Sequence, residues 1–117
     1  MNHFFIICMI LFGIVSAHAD DLLVFVSLSL PDSRLQSLYK EASKRGGRLI
    51  MRGLKDNSFV STKKKFDILK ISVDLDPTLF EAYDIQRVPT FVCRTEKYAR
   101  KVSGNVSLSH AMEVLTK

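Results

Sequence analysis

The sequence lacks tryptophan and is poor in cysteine, histidine and proline: its 117 residues include two Cys, three His and three Pro. The two cysteines, Cys8 and Cys93, are far apart in the chain. There is therefore no Cys-x-x-Cys motif, which excludes the dithiol chemistry of ordinary thiol oxidoreductases. The chain also lacks a Gly-rich phosphate-binding motif, which leaves no sequence signal for a nucleotide site.

The N-terminal segment differs from the rest of the chain. An apolar stretch runs from Phe4 to Val15, and Ala17 and Ala19 form a small-x-small pattern just after it. This pattern predicts a signal peptide over residues 1–19 with cleavage after Ala19, and the alternative is an uncleaved anchor. Cleavage leaves 117 − 19 = 98 residues, a length that fits one domain over residues 20–117.

Removal of the signal peptide leaves His110 as the single histidine and Cys93 as the single cysteine. This inventory excludes a Cys/His zinc site, which needs about four ligands. A Ser-His-Asp site has only His110 available, within the pattern of the last helix. We therefore expect no catalytic residue, metal, cofactor or small-molecule substrate. Cys93 is interpreted as a small buried side chain, with an intermolecular disulfide as the alternative.

Apolar patterning predicts alternating strands and helices. Strands are expected over residues 22–29, 48–54, 71–75, 88–94 and 98–102, and helices are expected to begin at Pro31, Ser58, Pro77 and Ser107. The second helix is expected to bury a stripe of Phe59, Phe66 and Leu69. The order predicts an α/β, thioredoxin-like fold without the CxxC motif: a central mixed sheet with helices on both faces.

The dipeptide Val88-Pro89 comes at the start of the fourth predicted strand. Proline cannot donate a hydrogen bond within a sheet, so Pro89 should open the strand. A bulky residue followed by proline at this position also predicts a cis Val88–Pro89 bond that faces the start of the Pro31 helix.

Four segments in order resemble one protein family: Phe25-Val26-Ser27-Leu28-Ser29-Leu30-Pro31, Met51-Arg52-Gly53-Leu54, Leu75-Asp76-Pro77-Thr78-Leu79-Phe80 and Val88-Pro89-Thr90-Phe91-Val92. Together they are similar to the TrbC family of F-type conjugative transfer systems. The resemblance implies a thioredoxin-like periplasmic component of a type IV secretion apparatus, acting in pilus assembly. It implies envelope protein partners such as a TraW-like protein, and no enzyme activity.

In such a fold, the loop after the first strand lies beside the proline that opens the fourth. The candidate partner-binding residues are Ser29, Leu30, Pro31, Asp32, Val88 and Pro89. An extended segment of a partner can pair with backbone exposed before such a proline. The alternative is that these residues serve only to begin a helix and a strand.

The chain is basic, with a net charge of +5 and a lysine run at Lys63, Lys64 and Lys65. The run is interpreted as a solvated helix face, and contact with an anionic partner or membrane surface is the alternative. No aromatic residue interleaves with these lysines, so nucleic acid is not an expected partner. The rival function is a periplasmic thiol–disulfide or chaperone-type protein that acts through Cys93.

Overall fold

Five strands form one mixed sheet in the order β3-β2-β1-β4-β5 in the computed structural model, which describes residues 21–116. The strands are β1 (Asp21–Val26), β2 (Arg48–Met51), β3 (Val73–Leu75), β4 (Thr90–Arg94) and β5 (Ala99–Ser103). The helices are α1 (Asp32–Lys44), α2 (Phe59–Leu69), α3 (Pro77–Ala82) and α4 (Leu108–Leu115), with a 3-10 turn at Lys55–Asn57. The predicted order of elements is confirmed, whereas the predicted signal peptide lies outside the described residues.

Strand β1 is at the centre of the sheet and is buried on both faces, which explains its continuous apolar sequence. Because side chains alternate along a strand, Leu22, Val24 and Val26 face one core. Helices α1, α2 and α4 cover that core. Leu23 and Phe25 face a smaller second core, which α3 and the residues after it cover.

The strand pairing places the chain's two edges at β3 and β5. Strands β1, β2 and β3 are parallel to one another, whereas β4 is antiparallel to β1 and to β5. Strands joined by a helical crossover run parallel, as β1 with β2 and β2 with β3 do. Strands joined by a short hairpin run antiparallel, as β4 and β5 do. Within residues 21–116, no helix combines the length and apolar composition needed to cross a bilayer.

Four predicted strands are shorter in the structure than their apolar sequences suggest. Strand β1 ends at Val26, because Ser27 begins a turn in which its carbonyl accepts a hydrogen bond from Leu30 N at 3.2 Å. Strand β2 ends at Met51, β3 begins only at Val73, and β4 begins at Thr90. Apolar side chains just outside these strands, such as Leu28, still pack against the core, so hydrophobicity alone does not locate the strand ends.

The predicted buried stripe of α2 is partly wrong. Leu69 is buried and Phe66 packs against the core, but Phe59 is 67% exposed. The buried position in the first turns belongs to Thr62, which is only 2% exposed. Thr62 Oγ1 accepts a hydrogen bond from Lys55 N at 2.7 Å and donates one to the Ser58 carbonyl at 2.7 Å. These two bonds satisfy the hydroxyl and allow its burial.

The predicted helix starts agree closely with the structure. Ser58, Asp76 and Ser107 are N-caps, and their side chains accept hydrogen bonds from backbone N–H groups of the first turn. Pro77 occupies the first turn of α3, as expected. Pro31 lies one position earlier than predicted, at the N-cap of α1 rather than within its first turn.

Candidate functional site

Val88 lies between two surface depressions at one end of the sheet, and its peptide bond to Pro89 is cis. The first depression, here called the Pro31 groove, is lined by Leu30, Pro31, Ser33, Arg34, Ser37, Val88, Pro89 and Asn105 and encloses about 530 Å³. The second, here called the Arg52 cleft, encloses about 590 Å³. Its charged lining residues are Arg52, Lys55 and Arg87, and Val26, Met51, Phe80 and Ile85 are among its apolar ones.

The Pro31 groove brings together four of the six predicted site residues. Leu30 and Pro31 come from the start of α1, and Val88 and Pro89 come from the start of β4. Ser29 and Asp32 do not line this groove. The Ser29 hydroxyl is hydrogen-bonded to that of Ser27, and the Asp32 carboxylate is 3.0 Å from Lys65 Nζ on α2. Partner binding by these residues stays a prediction.

The loop between α3 and β4 is held by side chains from other parts of the sheet. Carbonyl oxygens at four positions of this loop accept hydrogen bonds from those side chains: Tyr83, Asp84, Ile85 and Arg87. The donors are Lys101 on β5, Arg52 after β2 and Thr90 on β4. The distances are 2.8 and 2.9 Å from Lys101 Nζ, 3.4 Å from Arg52 Nη2 and 2.6 Å from Thr90 Oγ1. The loop that presents Val88 is therefore fixed along most of its length.

The Val88 backbone differs from its neighbours in this loop. Among residues 21–116, neither the Val88 N–H nor its carbonyl forms a backbone hydrogen bond, and Val88 itself is half-buried. Backbone polar groups away from bulk water are nearly always paired. The Val88 N–H and carbonyl therefore need hydrogen-bond partners from outside residues 21–116, whether water or another chain.

Thr90 anchors the residues that follow Val88. It is fully buried, and its hydroxyl is 2.7 Å from the Ser103 hydroxyl. A hydroxyl has one hydrogen, which Thr90 donates to the Arg87 carbonyl, so Ser103 is the donor to Thr90. The Pro89 carbonyl also accepts a hydrogen bond, from Gly104 N at 3.1 Å. Ser103 at the end of β5 and Gly104 just after it therefore hold Pro89 and Thr90, the two residues that follow Val88.

The Arg52 cleft has a cationic wall. The Arg52 guanidinium lies over the Phe80 ring, 5.0 Å from its centroid, and this contact holds it beside the cleft although Arg52 is exposed. Lys55 and Arg87 are exposed, and Lys55 Nζ is 3.3 Å from the Asp56 carboxylate. No acidic side chain lines the cleft, so it favours a negatively charged ligand.

Arg34 supplies the positive charge of the Pro31 groove. Its Nη2 donates to the Val106 carbonyl, which ties α1 to the segment before α4. Its Nε is buried and has no hydrogen-bond partner within residues 21–116. Because this nitrogen is buried, Arg34 acts on a ligand in the groove through the positive charge of its guanidinium.

Cys93 and His110 are both remote from the two depressions. Cys93 is 7% exposed and belongs to the core that α1 and α4 cover. His110 is on the exposed side of α4, with Nδ1 3.9 Å from the Glu113 carboxylate. No cluster of three or more potential metal ligands occurs within residues 21–116. The described residues thus offer no constellation for nucleophilic or metal catalysis at Val88.

Arg94 is at the opposite end of β4 from Val88. Its guanidinium donates to the Asp21 carboxylate and, at 3.0 Å, to the Tyr83 hydroxyl. These hydrogen bonds, with Asp21 contributing most, raise the pKa of Arg94 above its already high ordinary value. The charge is therefore permanent, and its role is to join β1, β4 and the end of α3.

A family model described as "Type-F conjugative transfer system pilin assembly protein" matches residues 24–115 of the chain, which include both depressions. The chain belongs to this TrbC family. The match begins in β1 and ends in α4, so it spans the whole sheet and the three helices that cover its larger core.

One relative is the periplasmic protein TrbC of Escherichia coli (strain K12), which is 30% identical over 96 residues. The alignment covers 78% of this chain and 45% of that protein, so the chain spans less than half the length of this TrbC. Four short segments of the sequence predicted membership of the TrbC family, and this prediction is confirmed.

Solved structures of thiol–disulfide proteins share the fold of this TrbC-family chain. MTB DsbF has a TM-score of 0.56 and 12% identity, covering 83% of this chain and 78% of its own. A putative thiol:disulfide interchange protein DsbE from Chlorobium tepidum has a TM-score of 0.57 and 16% identity, covering 86% and 79%. At this identity the likeness establishes the thioredoxin-like fold alone, and the predicted fold class is confirmed.

Sequence reasoning missed the charged residues of the two depressions. Arg34 lies in α1, Arg52 and Lys55 follow β2, and Arg87 precedes β4, so only the fold brings them to either side of Val88. Arg87 could have been identified from the sequence, because it directly precedes Val88. The run of Lys63, Lys64 and Lys65 lies elsewhere, on α2. There Lys63 is 3.7 Å from Asp67, and Lys65 pairs with Asp32.

Proposed function

We propose that this chain is a non-catalytic protein-binding component of the F-type conjugative type IV secretion system, acting in pilus assembly in the periplasm. Membership of the pilin assembly family supports the process. The periplasmic location rests on the name of the Escherichia coli relative and on the predicted signal peptide. The single observation that carries the binding role is the unpaired Val88 backbone, held between two depressions by the anchored loop.

The proposed occupant is an extended segment of another envelope protein of the transfer system, such as a TraW-like protein. It would pair with the Val88 N–H and carbonyl as an added strand and place side chains in the Pro31 groove. Side chains on successive residues of a strand point in opposite directions, so alternate residues of the segment would enter the groove. Leu30, Pro31 and Pro89 supply its apolar contacts.

The rival thiol-based function is disfavoured by the position of Cys93. A reactive thiol is partly exposed and close to positive charge, whereas Cys93 is buried in the larger core. We therefore expect Cys93→Ala to retain pilus assembly and DNA transfer in a complementation assay. Loss of both in a folded Cys93→Ala protein, or insulin reduction by the purified chain, would favour the rival function.

The decisive test replaces Val88 with aspartate. We expect Val88→Asp to abolish crosslinking to envelope partners and to reduce transfer, because a carboxylate desolvated against a partner strand is strongly disfavoured. The matched control is Val60→Asp, since Val60 is 76% exposed on α2 and lines neither depression. This control should crosslink and transfer as the unchanged protein does.

Thermal unfolding of both variants separates loss of binding from loss of fold. If Val88→Asp does not fold, Val88→Thr, which has nearly the same shape, tests the same position with a polar atom. A folded Val88 variant that crosslinks to the same partners with unchanged yield would contradict the proposed groove.

A further inference from the structure

The charges around Val88 are all of one sign. The charged side chains that line the Pro31 groove and the Arg52 cleft are Arg34, Arg52, Lys55 and Arg87, and no carboxylate lines either depression. The whole chain has 17 basic and 12 acidic side chains, so this bias exceeds that of the composition. The two depressions therefore form a continuous region of positive potential on both sides of the unpaired Val88 backbone.

Three carboxylates lie close to the two depressions, and of their partners only that of Asp32 lies outside both depressions. Asp32 at the start of α1 pairs with Lys65, and Asp84 accepts a hydrogen bond from Gln86 Nε2 at 2.5 Å. Asp56 pairs with Lys55, but its side chain remains 78% exposed. An exposed ion pair of this kind is weak and leaves Lys55 able to exchange partners. Among residues 21–116, only Lys55 of the four positive side chains has a carboxylate partner, and that pair is exposed.

Two of the arginines are already held in place. Arg52 is positioned by the Phe80 ring and by the Ile85 carbonyl, and Arg34 is positioned by the Val106 carbonyl. An ordered guanidinium loses less conformational entropy on binding than a free one and presents a planar fork to a carboxylate.

We infer that the segment bound across Val88 is an acidic stretch of a partner protein, with Asp or Glu side chains on both sides of the residue that pairs with Val88. This inference rests on the proposed function and adds the chemical class of the partner. On one side the carboxylates reach Arg52, Lys55 and Arg87, and on the other they reach Arg34. The apolar contacts of Leu30, Pro31 and Pro89, together with the Val88 backbone, select an extended peptide over a lipid headgroup.

The test is an unbiased selection from a random peptide library of about ten residues, long enough to cross both depressions at about 3.3 Å per residue. We expect peptides retained by the folded protein to be enriched in Asp and Glu over the starting library. The enrichment should be lost with the double variant Lys55→Gln/Arg87→Gln. It should persist with Lys40→Gln/Lys44→Gln, which removes the same charge from exposed positions of α1.

The best selected peptide then gives a quantitative check. Two exposed ion pairs are worth about a fivefold change in affinity, so Kd should rise about fivefold in the Lys55→Gln/Arg87→Gln variant. Raising the salt concentration to about 0.5 M should weaken binding to the unchanged protein and reduce this difference. Replacing the Asp and Glu residues of the peptide by Asn and Gln should have a similar effect.

The outcomes separate the inference from the proposed function. Retained peptides without acidic enrichment, whose binding is still abolished by Val88→Asp, would overturn the inference and leave the Val88 groove standing. Peptides that bind Val88→Asp and the unchanged protein equally, or a library that yields no binder, would overturn both. Anionic phosphatidylglycerol vesicles that displace the peptide and bind through Lys55 and Arg87 would overturn the inference and assign the cleft to lipid phosphate.

Discussion

Buried threonines determine the local structure at two places in this chain. Thr62 and Thr90 are the buried polar residues among positions 21–116, and each makes two side-chain hydrogen bonds. Thr62 fixes the rotation of α2 about its axis by holding the 3-10 turn before it. That is why Phe59 faces solvent although the apolar pattern predicted its burial.

The role of Thr62 predicts a clear order of stabilities. Thr62→Val has nearly the same shape but leaves the Lys55 N–H and the Ser58 carbonyl without this partner, so we expect a loss of about 1–3 kcal/mol. Thr62→Ser keeps the hydroxyl and should lose less. Phe59→Ser should change the free energy of unfolding by less than about 0.5 kcal/mol, because Phe59 is exposed.

Urea unfolding of the three variants, followed by circular dichroism, measures these differences. Equal stability of Thr62→Val and Thr62→Ser would show that the hydrogen bonds do not set the orientation of α2. A large loss in the free energy of unfolding of Phe59→Ser would show that Phe59 belongs to the buried stripe.

At the scale of elements, the junction between α1 and β2 depends on two consecutive glycines. Gly46 has a φ of +72°, in the left-handed region where a side chain is disfavoured. Gly47 has no such φ, but a Cβ on it would lie 2.9 Å from the Leu22 carbonyl oxygen of β1. The close approach of this turn to the central strand therefore excludes a side chain at Gly47.

We expect Gly47→Ala to destabilise the protein by about 1–3 kcal/mol, because relief of the clash would shift β1 backbone in a packed core. Gly53→Ala is the matched control, since nothing lies within 4 Å of its Cβ position and its φ is unrestrictive. Differential scanning calorimetry of the two variants checks the difference. A lower melting temperature for Gly53→Ala than for Gly47→Ala would contradict the close approach.

Most elements were predictable because their signals are local. The N-cap at Asp76 with Pro77 behind it, the short connection between β4 and β5, and the continuous apolar run of β1 need no knowledge of the rest of the fold. The cationic walls beside Val88 were not predictable, because Arg34 and Arg52 become neighbours of Val88 only through the sheet order. The hydrogen bonds from Lys101 Nζ to the Tyr83 and Asp84 carbonyls were not predictable for the same reason, because they join residues 18 and 17 positions apart in the chain.

For the whole molecule, the two cores contribute differently to function. The larger core includes side chains from three helices, whereas the smaller one depends on Phe80 and Ile85 above β1, β2 and β4. Phe80 meets Phe25 edge to face at 4.9 Å and also carries Arg52 on its ring. The smaller core therefore contains the ring that supports Arg52 beside the Arg52 cleft.

This asymmetry predicts that Phe80→Ala and Leu115→Ala separate stability from binding. Both remove a buried side chain, 4% and 5% exposed, and should cost about 3–5 and 2–5 kcal/mol respectively. At a temperature where both variants are folded, only Phe80→Ala should weaken binding of the selected acidic peptide, because Arg52 loses its support. Fluorescence anisotropy measures this, and equal weakening by Leu115→Ala would refute the coupling.

The two edges of the sheet have a consequence for the protein before it meets any partner. Edge strands expose unpaired backbone and act as templates for aggregation unless they are short or charged. Strand β3 has three residues, with Asp74 at its centre, and β5 carries Arg100 and Lys101 in succession. Neither edge offers a long, neutral template to a second copy. Both edges therefore disfavour pairing with an edge strand of a second copy.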